Sequence, residues 1–366
     1  MVSALKNSLA GRMIVKSSED IKKNSKRAVN LLRLFGDFID EEVAPTPYWE
    51  IGFRGRCRLL HFHSRTTKKE ATPVLMIPSL INRYYILDLY KKNSIIQDLL
   101  DEGVDVYLLD WGEPRDQDRY ADLDDHILDW MNWSVDLVRK KTNQNKVNLF
   151  GQCVGGTFSC IYTSLFPNKI NSLALLTTPI DFHAQGILQA WACQSKVDLS
   201  QMVDVWGNIK EDFLDKSFKL IHPLGDLKKK QQLLKNSWSE SYIRKYYALE
   251  KWLKSGVSFP GAAYENFINQ FYKENRLIKG KCLIGKRKVS LSNIHCPVMN
   301  IVANGDSIVP KDSSLVLEKY IQSNVYEEIR VGGGHIGCLI SDRHQKKLSE
   351  SLQQWALKEY ENECFY

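Results

Sequence analysis

The sequence predicts an α/β fold with a mostly parallel central sheet, and three observations carry that prediction. Short apolar runs alternate with longer amphipathic stretches between residues 73 and 177, and the pattern resumes from residue 296. The runs are apolar throughout, as strands covered on both faces must be. One run, Lys146–Phe150, leads directly into Gly151-Gln152-Cys153-Val154-Gly155-Gly156, and a helical stretch, Thr157–Phe166, follows and stops at Pro167.

Taken in order, residues 1–45 read as a polar helical segment with an apolar stretch from Val29 to Ile39. Cys57 to His63 has the alternation of a strand, which places His61 and His63 on one face. No third ligand accompanies them, so they read as ordinary strand residues and no metal site is expected. Pro73–Pro78 is a buried strand, and Ser79–Leu89 is the loop after it. Ser94 caps a short helix to Leu100. Val104–Asp110 is a strand, Leu123–Lys141 a helix, and Ile170–Thr177 another buried strand.

Residues 183–290 break the pattern. They hold few buried strands, apolar residues at helical spacing and many aromatics, Trp191, Phe218, Trp252 and Tyr272 among them. This stretch reads as a helical cap over the carboxyl edge of the sheet. Most of its aromatics are expected to be cap core, and a few to line a tunnel for an apolar substrate. The core is thus expected to comprise residues 46–182 and 291–366. Its second part holds strand Cys296–Ala303, strand Glu327–Val331 and a closing helix, His344–Tyr360.

Strand, glycine turn and helix form the context of a nucleophile elbow, here with Cys in place of Ser, which makes the α/β-hydrolase fold the expected one. The turn is sharp, so the flanking positions must lack a Cβ. It would project the Cys153 thiol at a helix N-terminus, where partial positive charge favours a thiolate. The plain alternative is a structural Cys in a glycine-rich turn. A phosphate-binding loop would need a Lys-Ser/Thr ending that is absent.

The partners follow in the order Cys153, Asp306, His335. Asp306 lies on the loop after a late strand, and His335 lies behind Gly332-Gly333-Gly334. In triad logic His335 takes the thiol proton and Asp306 fixes its tautomer. Asp110 also ends a strand and is the alternative acid. Two backbone N–H groups would hold the oxyanion, worth roughly 3 kcal/mol each. One belongs to Val154, and the other to Leu80 or Ile81 in the loop after Pro78. A thiolate attacking a thioester makes another thioester of similar energy, so a Cys nucleophile points toward acyl transfer from a thioester donor.

The 366 residues carry a net charge of +7, with 43% hydrophobic and 25% charged residues, a composition able to build a substantial core. The eight Cys form no C-x-x-C pair, so the expectation is reduced thiols in a cytoplasm, without zinc or a disulfide framework. Met1 to Lys26 lacks the apolar core of a secretory signal, and no apolar run reaches the roughly 20 residues of a membrane span. Basic clusters at Lys22–Arg27, Lys228–Lys230 and Lys279–Lys288 read as solvated surface, and no nucleic-acid partner is expected.

The chain resembles the polyhydroxyalkanoate (polyester) synthases from about residue 45 onward. The matching pieces are Ile81-Asn82-Arg83-Tyr84-Tyr85-Ile86-Leu87-Asp88-Leu89, Asp105–Gly112, Leu123-Asp124-Asp125, the box Gly151–Gly156, Thr178–Phe182, Gly207-Asn208-Ile209 and Gly332–Gly337. The resemblance implies that Cys153 accepts a 3-hydroxyacyl group from a coenzyme A thioester, a substrate rather than a cofactor. It implies that His335 and Asp306 activate first the thiol and then the attacking hydroxyl, and that 3-hydroxybutyryl is the expected monomer. The short chain looks like the two-subunit synthases, closest to the class III type that works with a companion called PhaE. The class IV type is the alternative. Oligomeric assembly and a polyester granule surface in the cytoplasm are implied with it. One position departs from the family pattern: Ser307 stands where a His usually follows the acid. A Cys-type hydrolase of the same fold and a non-catalytic granule scaffold are the rival functions.

Overall fold

A computed structural model of the chain describes residues 9–36, 43–67, 72–194, 198–221 and 225–359. Outside them lie the ends of the expected N-terminal segment (1–8 and 37–42), Tyr360 of the closing helix, and Cys364. The main sheet has eight strands: β1 (Tyr48–Arg54), β2 (Cys57–Phe62), β3 (Val74–Ile77), β4 (Val106–Asp110), β5 (Val147–Gln152), β6 (Ile170–Leu176), β7 (Val298–Ala303) and β8 (Tyr326–Val331). Their spatial order is β1-β2-β4-β3-β5-β6-β7-β8. The β1–β2 and β2–β4 pairs are antiparallel, and all other neighbours are parallel.

The period of two explains the continuous apolar runs. Leu75, Ile77, Leu149, Leu173 and Leu175 enter one core cluster, and Val74, Met76, Phe150, Ala174 and Leu176 enter the cluster on the other face. Helix α1 (Leu9–Phe35) precedes the sheet. Helix α2 (Ile95–Asp101) covers the second face, and Ser94 caps it by accepting the Gln97 N–H at 3.0 Å. Helices α3 (Asn132–Thr142) and α4 (Val154–Leu165) cover the first face. Phe158 of α4 is fully buried there, a contribution of roughly 1.5–3 kcal/mol.

Strand β1 is an element that the sequence pattern did not reveal. Arg54 pairs with Cys57 around a two-residue turn in which Gly55 has φ +60°, the left-handed conformation that this hairpin turn needs at its first central position. The expected helix over Leu123–Lys141 is one continuous rod, but its first part, Asp125–Met131, is wound as a π-helix.

Between β6 and β7 the chain forms α5 (Ile187–Gln194), α6 (Leu199–Trp206), α7 (Glu211–Ile221), α8 (Gly225–Asn236), α9 (Glu240–Leu253) and α10 (Gly261–Phe267). A π-helical turn, Ile268–Lys273, continues α10. Leu277, Cys282, Ile284 and Val289 then join the same core cluster as Phe158, so this last stretch packs with the sheet layer. Helix α11 (Asp342–Leu357) closes the second face with Leu348, Leu352 and Trp355.

Helix α1 rests on the cap. Its Leu31 and Leu34 pack against Leu233, Ile243 and Tyr247, and Asn30 donates to the Ser237 carbonyl at 2.7 Å. Among the described residues no helix is long and apolar enough to cross a membrane.

Candidate active site

The parallel register aligns the carboxyl ends of the central strands: Ile77 stands opposite Gly151, Gly151 opposite Leu175, and Ala303 opposite Val331. Everything that leaves those ends converges on one place, the usual location of a site in such a sheet.

At the end of β5, Cys153 has φ +52° and ψ −123°, a backbone conformation that non-glycine residues rarely adopt. Its N–H donates to the Leu176 carbonyl at 2.9 Å, which pins the elbow to β6. The glycines around it have steric reasons. A Cβ on Gly151 would lie 2.5 Å from the Gly156 Cα, and one on Gly155 would lie 2.3 Å from the Ile77 carbonyl oxygen. A Cβ on Gly156 would lie 1.9 Å from Thr178 Oγ1. The strained turn thus exists because two helix-initial residues can press against neighbouring loops.

Asp306 and His335 leave adjacent strands. Gly305 donates to the Gly333 carbonyl at 2.8 Å, and Gly333 has φ +88°, which lets the His335 loop fold back. His335 Nδ1 lies 2.7 Å from Asp306 Oδ2. The other oxygen, Oδ1, accepts the N–H groups of Ile308 and Val309, each at 2.9 Å. This backbone support of the carboxylate comes from beyond position 307. With the Nδ1 proton turned to Asp306, Nε2 is left for the cavity that His335 shares with Cys153, whose sulfur is near enough to act on the ring. Burial opposes a charged ring, but the Cys153 sulfur and Asp306 override it and hold His335 up at about 10.

The alternative acid is engaged elsewhere. Asp110 pairs with Arg58, whose Nε donates to it at 3.1 Å, and accepts the Gly112 N–H at 3.1 Å. His61 bonds Asp105 at 2.7 Å and stacks on Tyr107, while His63 lies against Trp49. Among the described residues no group of three or more His, Cys, Asp or Glu is placed to hold a metal ion. Six described cysteines are free thiols: Cys57, Cys153, Cys160, Cys282, Cys296 and Cys338.

Cys153 and His335 open into a cavity of about 170 Å³ that Ile81, Gln152, Phe218 and Trp252 help to line. Of the two loop residues expected as oxyanion donors, Ile81 borders this cavity, whereas Leu80 is buried in the core and borders a separate pocket with Asp110 and Trp111. Val154 opens α4, so its N–H is one of the donors without an intrahelical acceptor. The cap supplies the roof. Phe218 of α7 and Trp252 of α9 face the cavity, while Tyr247 belongs to the contact with α1. Burial first, and the neighbouring Cys153 next, push up the phenol of Tyr272 in the π-helical turn. Nothing in the sequence separates Tyr272 from the other cap aromatics.

A family model described as the alpha/beta hydrolase fold matches residues 72–342, and one described as the N-terminus of poly-beta-hydroxybutyrate polymerase (PhaC) matches residues 15–99. The chain is 34% identical over 323 residues to the poly(3-hydroxyalkanoate) polymerase subunit PhaC of Synechocystis sp., covering 86% of this chain and 85% of the relative. It is 35% identical over 288 residues to the subunit of the same name from Allochromatium vinosum, covering 78% and 81%. Against the Haloferax mediterranei subunit it is 33% identical over 315 residues, covering 86% of this chain and 64% of that longer relative. Among solved structures, the chain is similar to a putative lipase from Sulfolobus solfataricus, with a TM-score of 0.53 at 15% identity over 84% of this chain and 98% of the lipase. That likeness speaks to the fold.

Proposed function

Because this chain belongs to the PhaC family of poly(3-hydroxyalkanoate) polymerases, we propose that it is an acyltransferase that builds a polyester from 3-hydroxyacyl-coenzyme A through a covalent intermediate on Cys153. The observation that carries the assignment of the site is one shared cavity. Cys153, in a strained elbow conformation, faces a His335 that is itself bonded to a buried Asp306.

The chemistry follows from the positions. His335 holds on Nε2 the proton given up by Cys153, and the sulfur attacks the thioester carbonyl. The oxyanion is held by the N–H groups of Val154 and Ile81. Collapse of the intermediate expels the coenzyme A thiolate, which receives the proton from His335, and leaves a 3-hydroxyacyl thioester on Cys153. A hydroxyl, deprotonated by His335, attacks that thioester and forms an ester. The Cys153 thiolate leaves and is reprotonated. Asp306 keeps the imidazolium favourable throughout. Side chains and backbone of the chain perform each step, with coenzyme A as part of the substrate.

The cavity of about 170 Å³ is smaller than the roughly 300–1,000 Å³ of ordinary ligand pockets. It has room for an acyl group but not for the whole of coenzyme A or a polymer, which must reach beyond it, past the edge of the cap or beneath a lifted one. A class III companion of the PhaE kind, an oligomeric assembly and attachment to a polyester granule belong to the same reading, supported by the chain's motifs and by its likeness to relatives named as subunits of a polymerase. The test is to incubate the full chain with 3-hydroxybutyryl-coenzyme A, alone and with a PhaE subunit, and to identify the product. Polymer, formed faster with the companion, supports the synthase. Free 3-hydroxybutyrate alone would replace it with a hydrolase, and no release of coenzyme A in either case would favour a scaffold.

A further inference from the structure

The loop that carries Ile81 is stitched to the cap along its length. Val257 donates to the carbonyl of Ile81 at 3.2 Å, and Asn82 forms an antiparallel bridge with Gly256. Trp252 Nε1, on a buried ring, donates to the Arg83 carbonyl at 2.9 Å. The Tyr85 hydroxyl meets Ser255 Oγ at 2.5 Å. Ser255 Oγ has one proton and gives it to the Trp252 carbonyl at 2.8 Å, so Tyr85 must be the donor. All of these contacts fall between residues 81–85 and the end of α9 with the strap after it, 252–257. The strap is closely seated, since a Cβ on Gly256 would lie 3.1 Å from Glu211 Cβ.

Within the loop, the Ile81 N–H reaches only Ser79 Oγ at 3.5 Å, the outer limit of a hydrogen bond. That N–H therefore remains available to an oxyanion, but its direction is set largely by what holds the neighbouring peptides. An oxyanion donor must stay about 2.7–3.1 Å from the developing charge to be effective. The groups that hold these peptides belong to the cap.

We infer that Tyr85 and Ser255 are positioning residues, and that their hydrogen bond ties the oxyanion loop to the cap so that Ile81 is a competent donor only while the cap is seated. The inference rests on the proposed role of Ile81 and Cys153. It makes the cap part of the catalytic geometry as well as a roof: when it lifts to admit coenzyme A or to release polymer, the oxyanion loop loses its template and the chemical step waits for closure.

The test uses full-length Tyr85→Phe, Ser255→Ala and the double variant, each checked for folding by circular dichroism. Turnover of 3-hydroxybutyryl-coenzyme A is measured with the alkylation rate of Cys153 by iodoacetamide, a displacement that needs the thiolate and access but no oxyanion hole. The expected result is a fall in kcat of about 5- to 30-fold in each single variant, short of the roughly 10²–10³-fold for losing a donor outright. KM and the alkylation rate should stay within about twofold, and the double variant should be no worse than the more impaired single. A kcat within about twofold of the parent would overturn the inference. So would a fall in kcat matched by an equal change in alkylation, because the bond would then serve the nucleophile or its access. Turnover that survives in Cys153→Ala would instead defeat the underlying reading of the site, whatever the tether does.

Discussion

His335 Nδ1 stands 2.7 Å from Asp306 Oδ2, and the Asp306 side chain is 1% exposed. A carboxylate so enclosed survives only because every lone pair in use has a donor: the imidazole on one oxygen, and the N–H groups of Ile308 and Val309 on the other. Asp306→Asn keeps the shape but turns an amide toward Nδ1, which favours the wrong tautomer. Turnover should fall by roughly 10³–10⁴-fold with little change in KM. Asp306→Ala should also lower stability, by about 2–4 kcal/mol in urea unfolding, because it leaves a buried imidazole and two N–H groups without their acceptor.

The same pair gives a pH signature. In the folded chain the His335 pKa is raised from 6.5 to about 10, so the native state binds its proton more tightly than the unfolded state does. The stabilisation is fully present below about 6.5 and is lost as pH rises toward about 10. The difference in unfolding free energy between the parent and His335→Gln should therefore shrink over that window. A difference that stays flat or grows would contradict the assignment.

Thiol chemistry should single out Cys153. Burial pushes the thiols of Cys282, Cys296 and Cys338 up to about 12, and those of Cys57 and Cys160 higher still. Among these six cysteines, iodoacetamide at pH 7 should label Cys153 first by peptide mass spectrometry, and His335→Gln should slow that labelling at least about tenfold.

The elbow glycines should differ in how they can be rescued. A Cβ on Gly155 meets the carbonyl oxygens of Ile77 and Pro78 at 2.3 and 2.4 Å, and backbone cannot retract. Gly155→Ala should cost about 2–4 kcal/mol and resist compensation. A Cβ on Gly156 meets the side chain of Thr178, so Thr178→Ala should recover part of the stability lost in Gly156→Ala, read as thermal midpoints.

The legible part of this molecule was whatever local chemistry enforces. Leu75, Leu149 and Leu173 announce strands because both faces are covered, and Cys153 announces an elbow because only glycines fit around it. Strand order was not legible: β4 inserts between β2 and β3 through long-range pairing that leaves no mark on either strand. Strand β1 escaped notice because it lies at the sheet edge with Trp49 and Phe53 exposed, so its side chains carry no buried alternation. That Ile81 borders the cavity of Cys153 while its neighbour Leu80 borders another pocket was equally hidden, since adjacent residues of one loop carry no mark of which they will line. Tyr85 looked like any other aromatic until the cap placed Ser255 beside it.

If the growing acyl chain is carried on Cys153, the bond that holds it can be located. The full chain is mixed with 3-hydroxybutyryl-coenzyme A, quenched in acid, digested and read by peptide mass spectrometry. A 3-hydroxybutyryl group, or a short oligomer of it, is expected in thioester linkage on Cys153 and absent in Cys153→Ala. Coenzyme A released at the full rate by Cys153→Ala, or an acyl group found on another residue, would contradict it.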